Sequence, residues 1–290
     1  SSAASDVYKR QEKNMGRKKK LSVKTYVITA VTLTLLAISL FPYYYMVLQS
    51  FTFWDQVDKV MVPHGFTLRS YEYLIGKGGA TNSMMWVRAL INSFLVAFPT
   101  AVISVIIGLC NGYSVCKLKF KGERFIMDSL LFQMFFPTII LLVPRYMIAK
   151  PMANTYGGMI IPMCISIWAI FMYINYFKTL PNEVFEAAKI DGAGELRIIF
   201  YIAFPITKSV TTIVFLSIFM QRWSELMWDM LIAPNIQMQT LNVLISTQFK
   251  PMGAFPGPMY AASVILTLPI IILFLCFSKY FKEGISFMLK

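Results

Sequence analysis

Charged side chains are scarce in this chain, so the places where they gather mark where chemistry or contact can occur. One is QRWSELMWD, where Gln221, Arg222, Glu225 and Asp229 stand in an otherwise apolar run beside Trp223 and Trp228. Three- and four-residue spacing puts Arg222, Glu225 and Asp229 on one side of a continuous helix. A lone charge at mid-membrane costs about 2.5–3.5 kcal/mol on the insertion scale, so such a cluster must face protein or water. It can form a polar pathway wall, or Arg222 and Glu225 can close on each other as a structural pair while the indoles join an interfacial belt. Gln133 and Asn92 are weaker polar candidates in other apolar runs, since such residues often only join helices. The second gathering is EAAKIDGAGELRIIFYIAFP, from Glu186 to Pro205, where Glu186, Asp191, Glu195, Lys189 and Arg197 crowd around a Gly-Ala-Gly turn.

Other chemistries lack their residues. The single histidine is His64, and Cys110, Cys116, Cys164 and Cys276 lie in or beside apolar runs with no CxxC pair. A zinc site has no ligand set, and the thiols read as inert. No GxSxG elbow, HExxH helix or GxxxxGK[ST] phosphate loop occurs, so neither a membrane-embedded enzyme nor an ATPase is expected.

The elements that must position these residues are membrane spans. Of the 290 residues 57% are hydrophobic and 14% charged, with a mean hydropathy of +0.61, against roughly 25% charged in soluble domains. Six apolar runs are long enough for about 30 Å of hydrocarbon: 26–50, 90–115, 125–148, 158–177, 207–232 and 260–280. The chain therefore reads as an all-α polytopic membrane protein. The net charge of +13 does not point to nucleic acid, because the bases lie between apolar runs. Nineteen of the 27 fall on the side of the N-terminus, seven on the other, and Arg222 inside the fifth run. Both termini and the 186–205 stretch are thus expected in the cytoplasm. Residues 1–24 read as a disordered basic tail, with Met15 as a native start, and 25–290 as the transmembrane domain. Pro42, Pro99, Pro137, Pro144, Pro162 and Pro269 fall within the runs. They fit kinked helices along a pathway, or ordinary bends in a packed bundle.

The cytoplasmic loop, about 179–205, has a physical logic of its own. Pro181 and the acids Glu183 and Glu186 suit a helix start. Val184, Ala187 and Ala188 give that helix a slim apolar face, Asp191-Gly192 ends it, and a second helix runs from Glu195 to Pro205 and into the fifth span. Small residues at Ala187, Ala188 and Ala193 would admit another protein's surface, although a solvated amphipathic loop has the same composition.

Glu186-Ala187-Ala188, Asp191-Gly192-Ala193, Ile202 and Pro205 resemble the EAA motif of permease subunits in bacterial ABC importers. Phe204 stands where leucine is usual, and the frequent second proline after Pro205 is absent. The resemblance extends through INSFLVA, GYSVCKLKFKGER, FFPTIILLVPRYMIA, NTYGGMIIP and LPIIILFLCFSKYFKEG, covering roughly residues 24–284. Together these stretches resemble a carbohydrate-uptake permease of the maltose type, specifically the six-span partner of a heterodimer. The usual Gly-rich basic tail is replaced by ISFMLK.

That resemblance implies the type I importer permease fold and a division of labour. A second, related permease shares the pathway, a dimer of ATPase subunits binds Mg-ATP, and an extracytoplasmic solute-binding protein delivers the sugar. This chain itself then holds no cofactor and no metal, and is not an enzyme. Glu186, Ala187, Ala188, Asp191, Gly192, Ala193 and Pro205 would couple to the ATPase. Arg222, Trp223, Glu225, Trp228, Asp229, Gln133 and Asn92 are the pathway candidates, since sugars bind by hydroxyl hydrogen bonds and packing on aromatic faces. Asp229 stands where the family commonly has proline. The outer loop 249–260, with Met252, Gly253, Phe255 and Gly257, would face the binding protein; a plain rigid turn is the other reading. A secondary transporter or channel, or an importer permease for another solute, are the rival functions.

Overall fold

The computed structural model describes residues 23–76, 84–118, 120–248 and 256–288. The expected basic tail therefore lies outside the described residues, apart from Val23 and Lys24, which already belong to the first helix. All regular structure among the described residues is helical. In chain order the helices are α1 (Val23–Ser50), α2 (Arg69–Leu74), α3 (Met84–Lys117), α4 (Glu123–Met134), α5 (Leu142–Ala149), α6 (Tyr156–Ile160), α7 (Ile167–Thr179) and α8 (Glu183–Ile190). After the coupling turn come α9 (Glu195–Ile206), α10 (Lys208–Trp223), α11 (Met227–Ile232), α12 (Leu241–Gln248) and α13 (Pro256–Met288).

Four segments are long and apolar enough to cross a membrane: Val23–Ser50, Met85–Lys117, Tyr156–Thr179 and Gly257–Ser278. Helices α9 and α10 make a fifth if counted as one bent span. The sequence reading of six continuous spans is thus corrected in its middle. The run 125–148 divides into α4 and α5 because Pro137 lacks the N–H a helix needs and pushes Phe136 out of helical geometry. The run 158–177 is interrupted after Pro162 and restarts at Ser166, whose Oγ accepts the Ala169 N–H at 3.2 Å. The run 207–232 breaks between Trp223 and Met227. Nor does α9 flow into α10, since the two meet at 86° at Thr207.

The chain forms two units, residues 1–48 and 49–290. In the first, Leu33, Leu36, Ile38 and Phe41 of α1 are all exposed, as suits a helix whose solvent is lipid. The second unit is organised around α3, which packs along both α7 and α10. Its Ala97, Ala101, Val105, Leu109 and Tyr113 recur every fourth residue and form one buried stripe. Ala169, Tyr173 and Phe177 answer from α7 at the same spacing, and Val210, Val214 and Ile218 from α10. Residues four apart lie on one helix face, which is why the three stripes meet. Glycine sets the closeness of the α3–α7 crossing: a Cβ on Gly112 would lie 2.5 Å from Tyr173 Cβ, and one on Gly108 would lie 3.2 Å from Ala169 Cβ. Small residues four apart are a common device for bringing membrane helices together.

Candidate functional site

The stretch 183–206 folds as two helices around a turn. Gly192 sits at φ +79°, the Ala193 N–H reaches back to Ala188 O at 3.0 Å, and the Gly192 N–H reaches Lys189 O at 3.0 Å. These are the two bonds of a Schellman C-cap, which needs a left-handed residue where glycine stands. A Cβ on Gly192 would meet nothing within 4 Å, so backbone conformation, not space, requires the glycine here.

The free face of α8 keeps Val184 and Ala187 of the sequence reading but not Ala188. Phe185 and Ala188 point inward and join the core with Ile198, Ile199 and Ala203. Ala193 is half-buried against the same cluster. Of the three small residues expected to admit a partner, only Ala187 is exposed. Its neighbours Val184 and Ile190, with Leu196 across the turn, supply the apolar surface: Ile190 is 86% exposed and Leu196 70%. Glu186, Asp191 and Pro205 are also exposed. Phe185 carries Ala188 inward with it because it is the one large aromatic on α8, and the Tyr113–Phe177 pair offers it a pocket. Its ring centroid lies 5.8 Å from that of Tyr113 and 6.3 Å from that of Phe177, both edge-on.

Beyond the turn, Ile199–Ala203 is a π-helical segment, and the carbonyl freed at the α9–α10 bend is satisfied locally. Tyr176 OH donates to Ile206 O at 3.1 Å, and Thr207 Oγ1 donates to Phe204 O at 3.1 Å. Satisfied polar groups of this kind allow irregular backbone at membrane depth.

The second gathering of charge surrounds a cavity of about 420 Å³ between α4, α5, α7, α10 and α11. Its wall carries Gln133, Arg145, Trp168, Gln221 and Glu225, with Arg222 and the fully buried Trp228 behind them. Arg222, Glu225 and Asp229 come together, but not on one helix face. After Trp223 the chain breaks at Ser224–Leu226, and α11 brings Asp229 back, so that Arg222 Nη2 meets Asp229 Oδ1 at 2.8 Å with both side chains buried. Glu225 stands farther off, 4.0 Å from Arg222 Nη1, and its Oε1 accepts the Trp228 N–H at 3.2 Å, capping α11. The break is held open from a distance: Asn242 Nδ2 donates to Ser224 O at 2.7 Å. The buried Nε and Nη1 of Arg222 and Nε1 of Trp228 have no hydrogen-bond partner among the described residues.

Three sequence candidates lie elsewhere. Asp229 is consumed by Arg222 and lies behind the wall. Trp223 stacks on Phe219 with centroids 5.5 Å apart and donates Nε1–H to Leu266 O at 2.8 Å, which ties α10 to α13. Asn92 donates to Gln237 O at 2.9 Å and Gln239 O at 3.1 Å, and accepts from Tyr156 OH at 2.7 Å. Beside it Ser93 Oγ accepts the Leu241 N–H at 2.8 Å. Asn92 is therefore a clamp on the 233–241 segment. Sequence reasoning missed Arg145 and Trp168 as wall residues, because their apolar surroundings resemble ordinary span.

Of the residues expected to meet a binding protein, Met252, Gly253 and Phe255 lie outside the described residues. Gly257 is buried, and a Cβ there would sit 2.7 Å from Ser70 Oγ and 2.8 Å from Trp54 Cδ1. The glycine admits the 51–76 loop to the start of α13. Tyr260 reinforces that contact with a 2.6 Å bond to Asp58.

The chain matches the family described as "Binding-protein-dependent transport system inner membrane component" over residues 89–286. It is 30% identical over 260 residues to the inner membrane ABC transporter permease protein YcjP of Escherichia coli K12, covering 87% of this chain and 91% of that one. It is 26% identical to the arabinooligosaccharides transport system permease protein AraQ of Halalkalibacterium halodurans, covering 93% and 98%. Its fold matches, with a TM-score of 0.78 and 20% identity, a chain of a bacterial ABC transporter involved in import of the acidic polysaccharide alginate, over 90% of this chain and 99% of that one. The turn, the broken spans and these likenesses agree: the chain belongs to the binding-protein-dependent inner membrane components, and is a multi-pass cytoplasmic-membrane permease of an ABC importer with no catalytic activity of its own.

Proposed function

We propose that this permease forms, with a second related permease, the membrane pathway for a sugar or oligosaccharide. A solute-binding protein delivers the solute outside, and a dimer of ATPase subunits binding Mg-ATP docks on the 183–206 turn inside. The observation that carries the coupling half is the turn itself. It exposes Ile190, Leu196, Val184 and Ala187 beside the acids Glu183, Glu186 and Asp191, on a rigid glycine cap. A partner groove that buries the apolar residues and pairs with the acids fits this surface. The positive-inside distribution of bases supports six crossings with both termini cytoplasmic, with α4–α5 and α10–α11 as broken spans.

The carbohydrate half rests on the cavity wall and on AraQ's naming for arabinooligosaccharides. Gln133, Gln221, Glu225 and Arg145 offer hydrogen bonds to hydroxyls, and Trp168 offers a flat face. Replacing Trp168 by alanine is expected to lower uptake of the transported sugar several-fold while complex assembly stays normal, measured with radiolabelled sugar in proteoliposomes. Normal uptake by that variant would count against the cavity as the pathway.

For the turn, Gly192→Val forces a β-branched residue into left-handed backbone, at about 1–2 kcal/mol or more. Membrane insertion should persist while uptake separates from ATP hydrolysis. The test is uptake and ATPase activity measured together on the purified complex, and unchanged, substrate-stimulated uptake would sink the reading.

A further inference from the structure

The coupling turn is joined to the rest of the chain by two routes. The covalent one leads through α9, its π-helical segment and the 86° bend at Thr207 into α10. The other is non-covalent and shorter. Glu195, the first residue of α9, accepts a hydrogen bond from Tyr113 OH of α3 at 2.7 Å on Oε2. Its Oε1 meets Lys189 Nζ of α8 at 2.7 Å. One carboxylate thus fastens both arms of the turn to α3. One turn further along α3, Lys117 Nζ donates to Leu180 O at 3.0 Å and to Asn182 Oδ1 at 2.7 Å, and lies 5.0 Å from the Phe185 ring. That grips the beginning of α8.

The two bonds to Glu195 differ in worth. Lys189 and Glu195 are both about 40% exposed, and an exposed ion pair adds little. Tyr113 is fully buried and held edge-on between Phe177 and Phe185. Its hydroxyl is fixed in direction, and a hydrogen bond from it to a carboxylate is among the stronger kinds. The opposite end of α3 is also gripped, by Asn92 on Gln237 and Gln239 and by Ser93 on Leu241. Between Asn92 and Tyr113 the helix rises about 1.5 Å per residue, roughly 30 Å in all, with its buried stripe against α7 and α10.

We propose that Tyr113, with Lys117, is a positioning residue for energy coupling: it clasps the turn to α3 through Glu195, so that α3 carries displacement of the turn to the 233–241 segment at its far end. This rests on the reading of the turn as the ATPase dock. It assigns the stroke to α3, in addition to the span that follows the turn in sequence.

The test uses the complete complex reconstituted in proteoliposomes, with sugar uptake and ATP hydrolysis measured on the same preparation. Tyr113→Phe keeps the ring and removes the hydroxyl; uptake per ATP hydrolysed should fall about tenfold or more, in line with loss of one hydrogen bond to a charged group. Glu195→Ala, at an exposed site that leaves the aromatic cluster intact, should fall equally. Glu195→Gln retains an acceptor for Tyr113 and should restore the ratio to within about twofold of the parent. Unchanged uptake per ATP in both Tyr113→Phe and Glu195→Ala overturns the proposal, as does a proportional loss of uptake and hydrolysis together, which marks a merely structural contact. Failure of the ATPase to co-purify with the unaltered permease would instead refute the docking reading itself.

Discussion

Asp229→Ala is expected to cost the permease about 3–5 kcal/mol of stability, because it strands a buried guanidinium. Arg222 is 5% exposed and Asp229 0%, and among the described residues the Nη2–Oδ1 contact of 2.8 Å is the one charge-assisted bond that Arg222 makes at full hydrogen-bond distance to a carboxylate. Its second contact from Nη2, to Met159 O, is 3.4 Å long. The pair also bridges three elements: the end of α10, α11, and α6 through Met159. Without it α11 loses its tie across the Ser224–Leu226 break, and the rear wall of the cavity loses its support. The measurement is the melting temperature and yield of the purified complex, with sugar uptake in parallel. The double variant Arg222→Met, Asp229→Leu removes both charges and should recover most of the stability, since apolar replacements of a buried pair are often neutral or better. If Asp229→Ala instead keeps full stability and alters only the choice of solute, Asp229 belongs to the solute and not to Arg222.

The same cluster shows what local sequence can and cannot convey. The presence of a polar group at 222–229 was legible, because charges in an apolar run have few places to go. Its geometry was not. A three- and four-residue spacing implies one helix face only if the helix continues, and here it stops. Neither glycine nor proline marks the stop. Ser224 and Glu225 turn their side chains onto nearby backbone, Oγ to Met220 O at 2.9 Å and Oε1 from the Trp228 N–H, and Asn242 completes the satisfaction from α12. A break stabilised by a residue that far away leaves no local trace. The clamp made by Asn92 was hidden for a related reason: its partners Gln237 and Gln239 lie about half the chain away.

By contrast, the apolar runs that hold α3, α7 and α10 and the glycine-ended turn were legible, since each depends on residues close together in sequence. The inward face of α8 was not, because it follows from which aromatic residues of other helices wait beneath it. Tyr113 and Lys117 were passed over alike: a tyrosine inside an apolar run resembles core, and a lysine at its end resembles a topology signal. Only the approach of Glu195 and Asn182 gives each of them a second function.

Gly112→Val should damage the protein at the point where these legible and illegible features meet. Even an alanine Cβ there would lie 2.5 Å from Tyr173 Cβ and 3.3 Å from the Ile174 backbone nitrogen. These are the root of a side chain and main chain, neither of which can swing aside. The helices must separate, and overpacking of this kind costs about 1–3 kcal/mol or more. Separation of α3 from α7 also moves Tyr113 away from Phe177, and strains the Tyr173 OH to Thr211 Oγ1 bond of 2.8 Å that ties α7 to α10. Uptake should therefore fall further than stability alone explains. Gly108 provides the internal control, because its Cβ would approach Ala169 Cβ and Tyr173 Cδ2 no closer than 3.2 Å. Alanine at Gly108 should be tolerated with a small loss of melting temperature, alanine at Gly112 less well, and valine at Gly112 worst. Melting curves of the three purified complexes give the ranking, and equal behaviour of Gly108→Ala and Gly112→Ala would show that the crossing is looser than its geometry indicates.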